Sequence, residues 1–414
     1  MSAKRADTYA GGAVARYTLL GSAFVLTAFG LLMIYSASSI TAAVREGASW
    51  HYLARQAVFV TFSGGIAWWL SRVDYRRLQS RAFLLWAVSL GLLMATFLVG
   101  VVRGGARRWI DLGILNLQPS ELAKIACVLL VSSVAIEWMR GRIETRTLIS
   151  RTLVFTGLPT LFVILQPDLG TTITLVVAVV LVLILAGLPM RWIAAAAGLV
   201  VGLGALMIAI EPFRVTRVLS FLDPWKDPQG SGFQIIQALL AFGTGGVDGV
   251  GLGLSRQKFF YLPAAHTDFI LAIIGEEVGL VGTLLVVVGI AVFVWAGMRI
   301  SAGARDPFGR LVAGALTGML GVQAVLNIAA VTGVLPITGK PLPFVSYGGS
   351  SMLVTMICLG LLLSVSQFGA LAPRAVRTKS KSEVSNREGS PERWGDRGAR
   401  ASRPVRRGPS SRRA

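Results

Sequence analysis

Asp268 lies in Tyr261-Leu-Pro-Ala-Ala-His-Thr-Asp-Phe-Ile270, where a long polar loop meets an apolar helix. A carboxylate at the rim of a membrane helix is costly to desolvate and marks a place for chemistry or transport. Two readings stand. Asp268 is a general base whose pKa an apolar wall raises toward the working range, or it is a helix N-cap contributing about 1 kcal/mol. Lys258 or Arg256 in the preceding loop would keep it ionised.

Other side chains offer themselves as partners. Glu276 and Glu277 follow two turns later on the same predicted helix, inside the hydrocarbon. They call for an intramembrane base such as Lys124, or act as a proton relay suited to transport. Glu121 and Lys124, three residues apart, share a helix face as a structural lock or as cavity lining. Gln166-Pro-Asp168-Leu-Gly170 breaks the chain, with Asp168 as turn former or polar wall. Arg107 and Arg108 stand beside Trp109, an interfacial anchor or a platform for a sugar ring. Arg214 adds a further cation, and Lys340-Pro-Leu-Pro-Phe-Val-Ser346-Tyr-Gly-Gly-Ser-Ser351 brings small polar residues to membrane depth. Such backbone survives there only beside protein or a wet cavity.

The elements that must position these groups are transmembrane helices. Of 414 residues, 54% are hydrophobic and only 14% charged, and mean hydropathy is +0.67. That excludes a string of soluble domains. The apolar runs have the length of bilayer-crossing helices. They predict an all-α polytopic protein with about ten spans: 17–37, 56–70, 83–101, 118–138, 152–165, 171–188, 192–210, 269–294, 311–331 and 350–368. Pro119 suits an early helical position in the fourth span, with Ser120 or Glu121 satisfying free amides. The first run follows a polar stretch without a small-residue cleavage site, so it is read as a retained span.

The net charge is +20, with 40 Lys+Arg against 20 Asp+Glu. The excess is read as topology signal and lipid contact; no basic-aromatic pattern points to nucleic acid. Arg76-Arg77 and Arg140 with Arg142 place both termini in the cytoplasm, while Arg103, Arg107 and Arg108 stand on the outer face against the rule. Basic residues kept there suggest a bound anion. The chain then divides into a cytoplasmic segment 1–16, a membrane domain 17–372 and a disordered basic tail 373–414 that contacts lipid headgroups or partners. Within the domain, 211–268 is a long extracytoplasmic loop, too long for a plain connection. Its apolar stretch 235–242 predicts a short helix in or against the membrane. Its Gly-rich run 243–253 lacks the spacing of a nucleotide fingerprint. Cys127 and Cys358 fall inside apolar runs, and His51 and His266 are far apart, so neither a disulfide framework nor a His/Cys metal site is expected.

Seven motifs in order resemble one family, SEDS (shape, elongation, division and sporulation). They are Arg107-Arg-Trp109, Gln118-Pro-Ser-Glu-Leu-Ala-Lys124, Gln166-Pro-Asp-Leu-Gly-Thr171, Gly249-Val-Gly-Leu-Gly253, His266-Thr-Asp-Phe269, Gly275-Glu-Glu277 and Pro343-Phe-Val-Ser-Tyr-Gly-Gly-Ser350. The resemblance covers roughly 17–372. Asp223-Pro-Trp225, Gly230-Ser-Gly-Phe-Gln234 and 255–263 resemble the cell-division branch, with the elongation branch the alternative. It implies a peptidoglycan glycosyltransferase of the bacterial plasma membrane, enriched at the septum. Such an enzyme polymerises lipid II on the outer face and releases undecaprenyl diphosphate. It works with a class B penicillin-binding protein and other divisome proteins.

The family's catalytic Asp maps onto Asp268. Trp109, Arg107, Arg108, Glu121, Lys124, Asp168, Arg214, Lys258, His266 and Ser346 form the expected substrate-binding set. Arg107, Arg108, Arg214 or Lys258 would offset diphosphate charge, with a divalent cation, Mg or Mn, as the one candidate cofactor. Ala264-Ala265 depart from the family's pattern, which has Glu before the small residue, so no auxiliary acid is expected there. Two rivals from other classes are a lipid II flippase and a scaffold that activates its partner without chemistry.

Overall fold

The computed structural model describes residues 3–369 except 104–105, 112, 114–115, 197, 199–201 and 203–219. Arg214, Arg217, most of the expected seventh span and the tail 373–414 lie outside the described residues.

The first three helices are α1 (Ala3–Glu46), α2 (His51–Arg72) and α3 (Arg76–Val99). Three short antiparallel strands follow, β1 (Val101–Arg103), β2 (Ala106–Asp111) and β3 (Asn116–Leu117). Then come α4 (Pro119–Met139), α5 (Thr145–Leu165) and α6 (Leu169–Ala186). After residue 219 lie α7 (Phe233–Gly245), α8 (Ile270–Glu277), α9 (Gly279–Gly303), α10 (Pro307–Val331) and α11 (Gly349–Ser364), the last continued by a π turn, Val365–Gly369. The protein is all-α and polytopic: among the described residues, eight helices are long and apolar enough to cross a membrane.

Burial follows from which helices are apolar all round. α4 and α10 are buried on nearly every side and form the centre. α6 packs on both, α3 covers α4, α9 joins α10 to α1, and α2 lies along α11. α3, α5 and α9 turn apolar side chains such as Phe83, Leu158 and Leu284 outward, as lipid-facing helices do. At one end, Tyr75 Oη donates to Asp306 Oδ1 and Ser364 Oγ donates to Val73 O at 2.6 Å, tying the α2–α3 turn to α10 and α11. Asp306 also N-caps α10, accepting from Gly309 N at 2.8 Å.

Several boundaries differ from the sequence reading for physical reasons. The expected eighth span, 269–294, is broken. α8 is a buried eight-residue helix, and the chain restarts as α9 through Gly279 at φ +70°. Only glycine adopts that conformation cheaply, and here a Cβ would also lie 2.3 Å from the Val247 carbonyl oxygen. α5 starts at Thr145, not at 152, because its polar first turns belong to the membrane edge. The apolar stretch of the long loop is helical, as expected, and extends over α7. The strands were not anticipated: two- to six-residue runs carry no period to read.

α7 packs against α8 through a glycine contact. A Cβ on Gly245 would lie 1.9 Å from the Gly275 carbonyl oxygen, and both atoms belong to helical backbone. Gly245→Ala is therefore expected to push the helices apart at a cost of about 1–3 kcal/mol, read as a lower thermal unfolding midpoint in detergent. An unchanged midpoint would contradict this packing.

Candidate active site

At the end of the bundle opposite Tyr75 and Asp306, where α1 ends and α2, α4, α6 and α11 begin, lies a cavity of about 580 Å³. Its lining includes Asp268, Thr267, Arg108, Trp109, Gln118, Glu121, Asp168, Gly339, Lys340 and Tyr347, with Glu46, Tyr52, Arg55 and Phe59 on the α1–α2 side.

The floor is a buried charge network. Lys124 Nζ lies 2.8 Å from Glu121 Oε2, one helical turn apart on α4. Lys340 Nζ lies 3.4 Å from Glu121 Oε1 and 3.3 Å from Asp168 Oδ2, and also donates to Thr171 Oγ1. Asp168 N-caps α6, accepting from Thr171 N at 3.0 Å, and takes a further bond from Gln118 Nε2 at 2.8 Å. Lys124 completes the set by donating to Gln323 Oε1 at 3.1 Å. Two lysines balance two carboxylates, and donors fill their remaining lone pairs. A buried ion network tolerates desolvation on those terms. Burial by itself pushes the Lys340 ammonium down, but Asp168 and Glu121 outweigh it and hold the group above the ordinary lysine range.

The small sheet delivers Arg108. Val102 pairs with Arg107 and Val101 with Trp109, so Arg108 is the extra residue of a β-bulge. A bulge re-aims the inserted side chain. Arg108 is anchored by bonds to Gln166 O at 2.7 Å and Pro167 O at 2.6 Å. Asp268 sits in the turn before α8. Its carbonyl accepts from Asn327 Nδ2 at 2.8 Å, and a Cβ at Gly339 would lie 3.7 Å from its Oδ2.

Beside it, the His266 ring packs 4.9 Å from Tyr52 and 5.5 Å from Tyr347, and Tyr347 N donates to His266 O at 3.0 Å. Burial, and then the Arg45 cation, push the His266 imidazole down to about 4, so it is neutral near pH 7.

A family model described as "Cell cycle protein", covering FtsW, RodA and SpoVE, matches residues 17–370. The chain belongs to that family. It is 39% identical over 358 residues to the protein named probable peptidoglycan glycosyltransferase FtsW of Geobacter sulfurreducens, covering 85% of this chain and 96% of that one. It is 38% identical over 348 residues to stage V sporulation protein E of Bacillus subtilis, covering 83% and 94%. A solved structure described as "Structural coordination of polymerization and crosslinking by a peptidoglycan synthase complex" superposes with a TM-score of 0.69 at 31% identity, covering 85% of this chain and 97% of that chain. Crystal structures of Thermus thermophilus RodA, wild type and mutant, superpose with a TM-score of 0.64 at 28% identity, with the same coverage. The SEDS resemblance carried by the motifs, and its FtsW-like character, are thus borne out.

The cavity gathers Asp268, Arg108, Trp109, Glu121 and Asp168 from the expected set; of the other described members, Arg107, Lys124, Lys258, His266 and Ser346 do not line it, and Arg214 lies outside the described residues. Arg107 is exposed and does not line it, because the bulge turns its neighbour inward instead. Lys124 lies beneath the floor, held by Glu121. Lys258 is not Asp268's counter-ion: it pairs with Glu277 at 3.2 Å. Ser346 Oγ accepts from Leu342 N at 2.9 Å and serves its own loop. His266 stands behind Tyr52 and Tyr347 instead of lining the wall. Glu276 and Glu277 do not pair with Lys124. Glu276 accepts from the Ser255 hydroxyl and Arg256 N, and Glu277 from Ser36 Oγ and Lys258, so they fasten the Gly-rich loop to α8. Ser120 and Glu121 do not cap α4; Gln118 holds the N-cap position.

Lys340, Asn327 and Arg55 were missed. A lone lysine between Gly339 and Pro341 reads as a loop residue, and only the fold reveals two carboxylates converging on it.

Lys340→Met should leave Glu121 and Asp168 short of a cation and cost about 3–5 kcal/mol, measured as a large fall in thermal stability. His266 supplies a pH test. Between its ordinary 6.5 and about 4, the unfolded chain takes up a proton that the folded chain refuses. Stability should therefore fall as pH drops through that window, by at most about 3 kcal/mol. His266→Phe, which keeps a ring in place, should flatten that slope in a thermal-shift series.

Proposed function

We propose that this chain is a peptidoglycan glycosyltransferase that polymerises lipid II at the outer face of a bacterial plasma membrane during division, with Asp268 as the general base. The observation that supports this most is the shared cavity: a carboxylate, a guanidinium and an indole converge above a charge-balanced floor. The acceptor sugar's hydroxyl attacks the anomeric carbon of the donor. As that C–O bond forms, the bond to the diphosphate oxygen breaks, and polyprenyl diphosphate leaves with the electron pair. Asp268 takes the hydroxyl proton. Glu121 and Asp168 are engaged by lysines in the floor, and Asp268 lines the same cavity from the turn before α8.

The cavity suits a substrate with a charged head and an oily tail. Its α2 wall runs from Tyr52 through Arg55 to Phe59, one helix face that turns apolar about 10 Å down. Arg108 and Trp109 at the rim fit a diphosphate and a sugar ring respectively. Among the described residues no three His, Cys, Asp or Glu side chains group as a metal site. A divalent cation, Mg or Mn, would offset diphosphate charge, and no step here runs through it. The solved relative described as coordinating polymerisation and crosslinking supports a class B penicillin-binding protein as partner. Relatives named FtsW favour division over the elongation role of RodA, and with it other divisome proteins, septal enrichment and cytoplasmic termini.

The purified chain with its transpeptidase partner should convert labelled lipid II into polymer. Asp268→Asn is expected to lower the rate by about a hundred- to ten-thousand-fold while the unfolding midpoint holds. Polymer at wild-type yield from that variant would remove the base assignment. Transport of lipid II across protein-containing vesicles with no polymer would favour a flippase instead.

A further inference from the structure

Asn327 projects from α10, and its Nδ2 donates two hydrogen bonds: 2.8 Å to the carbonyl of Asp268 and 2.7 Å to the carbonyl of Lys340. Both acceptors are backbone oxygens, so the amide must present both its protons there. The residue is 2% exposed, and its Oδ1 has no hydrogen-bond partner among the described residues. Those two carbonyls alone therefore set the orientation of the amide. One turn earlier on the same face, Gln323 donates from Nε2 to Pro341 O at 2.9 Å and accepts from Lys124. Gln323 and Asn327 thus grip consecutive carbonyls of the 340–341 segment from one rigid helix. Asn327 alone of these two amides extends the grip to the segment that bears Asp268.

Stability of the bundle does not call for that reach. The 340–341 segment is already held by Gln323 and by the Lys340 ammonium. What the second proton of Asn327 adds is a fixed separation between the Asp268 backbone and the loop that carries Gly339, whose added Cβ would touch the Asp268 carboxylate. Misplacing a reacting group by about 1 Å can cost about a hundred-fold in rate.

We infer that Asn327 is a positioning residue that sets the Asp268 carboxylate relative to the Lys340 loop. The inference rests on Asp268 being the reacting base. Asn327→Leu keeps the branched shape, with larger terminal groups, and removes both protons. In the purified chain with its partner, kcat for lipid II polymerisation is expected to fall about ten- to a hundred-fold, with KM for lipid II and the thermal midpoint near wild type. An unchanged kcat would overturn the role, as would a loss matched by a rise in KM or a collapse in stability. If Asn327→Leu does not accumulate as folded protein, Asn327→Gln takes its place. It retains the amide protons on a stem one methylene longer, so the same split is expected with a smaller drop, and again an unchanged kcat overturns the inference. Asp268→Asn run alongside separates the two ideas. If it polymerises normally, the base assignment fails. If it is inactive while Asn327→Leu is unimpaired, only the positioning role fails.

Discussion

Lys340 holds the cavity end of this bundle together. Its ammonium lies within 3.4 Å of two carboxylates that start different helices, Glu121 at the head of α4 and Asp168 at the cap of α6. The lysine itself belongs to a third segment, the loop between α10 and α11. Three elements are thus fixed to one another by charges that low dielectric strengthens and that isolation would make ruinous. Gln118, Thr171 and Lys124 saturate what the central triad leaves over. Everything above the floor inherits its position from this arrangement: Arg108 hangs from the carbonyls just before Asp168, and Asn327 bonds the carbonyl of Lys340 itself.

That arrangement divides the acidic residues by role. Glu121 and Asp168 are locked to cations and hold the walls together. Glu276 and Glu277 sit in a second, separate cluster, where backbone amides of 255–257, Ser36 and Lys258 surround them and fasten the Gly-rich loop. Asp268 is the carboxylate placed at the cavity between a glycine and an asparagine-held backbone. Residues of one chemical type are sorted by their neighbours, and the proposed proton acceptor stands outside both buried clusters.

Much of this was legible beforehand. Long apolar runs revealed the class of fold, and the Gln118-Pro119 signal placed the start of α4. Motif order carried the family, and with it the candidacy of Asp268, Arg108 and Trp109. Other features were not readable from spacing. Arg107 and Arg108 are adjacent and chemically identical, and only a strand bulge decides which of them enters the cavity. Lys258 lies ten residues from Asp268 in sequence, but it pairs with Glu277 at the far end of α8, a helix length from the turn that bears Asp268. Lys340 is separated from Glu121 by 219 residues and from Asp168 by 172, so their convergence is a property of tertiary packing. The break at Gly279 hides inside an apolar run interrupted only by Glu276 and Glu277, since a buried short helix and a spanning one share the same apolar composition.

That break has a consequence for the surrounding lipid. α9 begins afresh after Gly279 and has 25 residues, roughly 38 Å of helix against a hydrocarbon layer of about 30 Å. It must lean or protrude, and the degree depends on how thick the host membrane is. Its first residues are bonded to the Gly246–Val247 carbonyls, next to the short helix that follows Asp268. A thinner or thicker bilayer would therefore bear, through α9 and its neighbour α8, on the turn that carries Asp268, the proposed base.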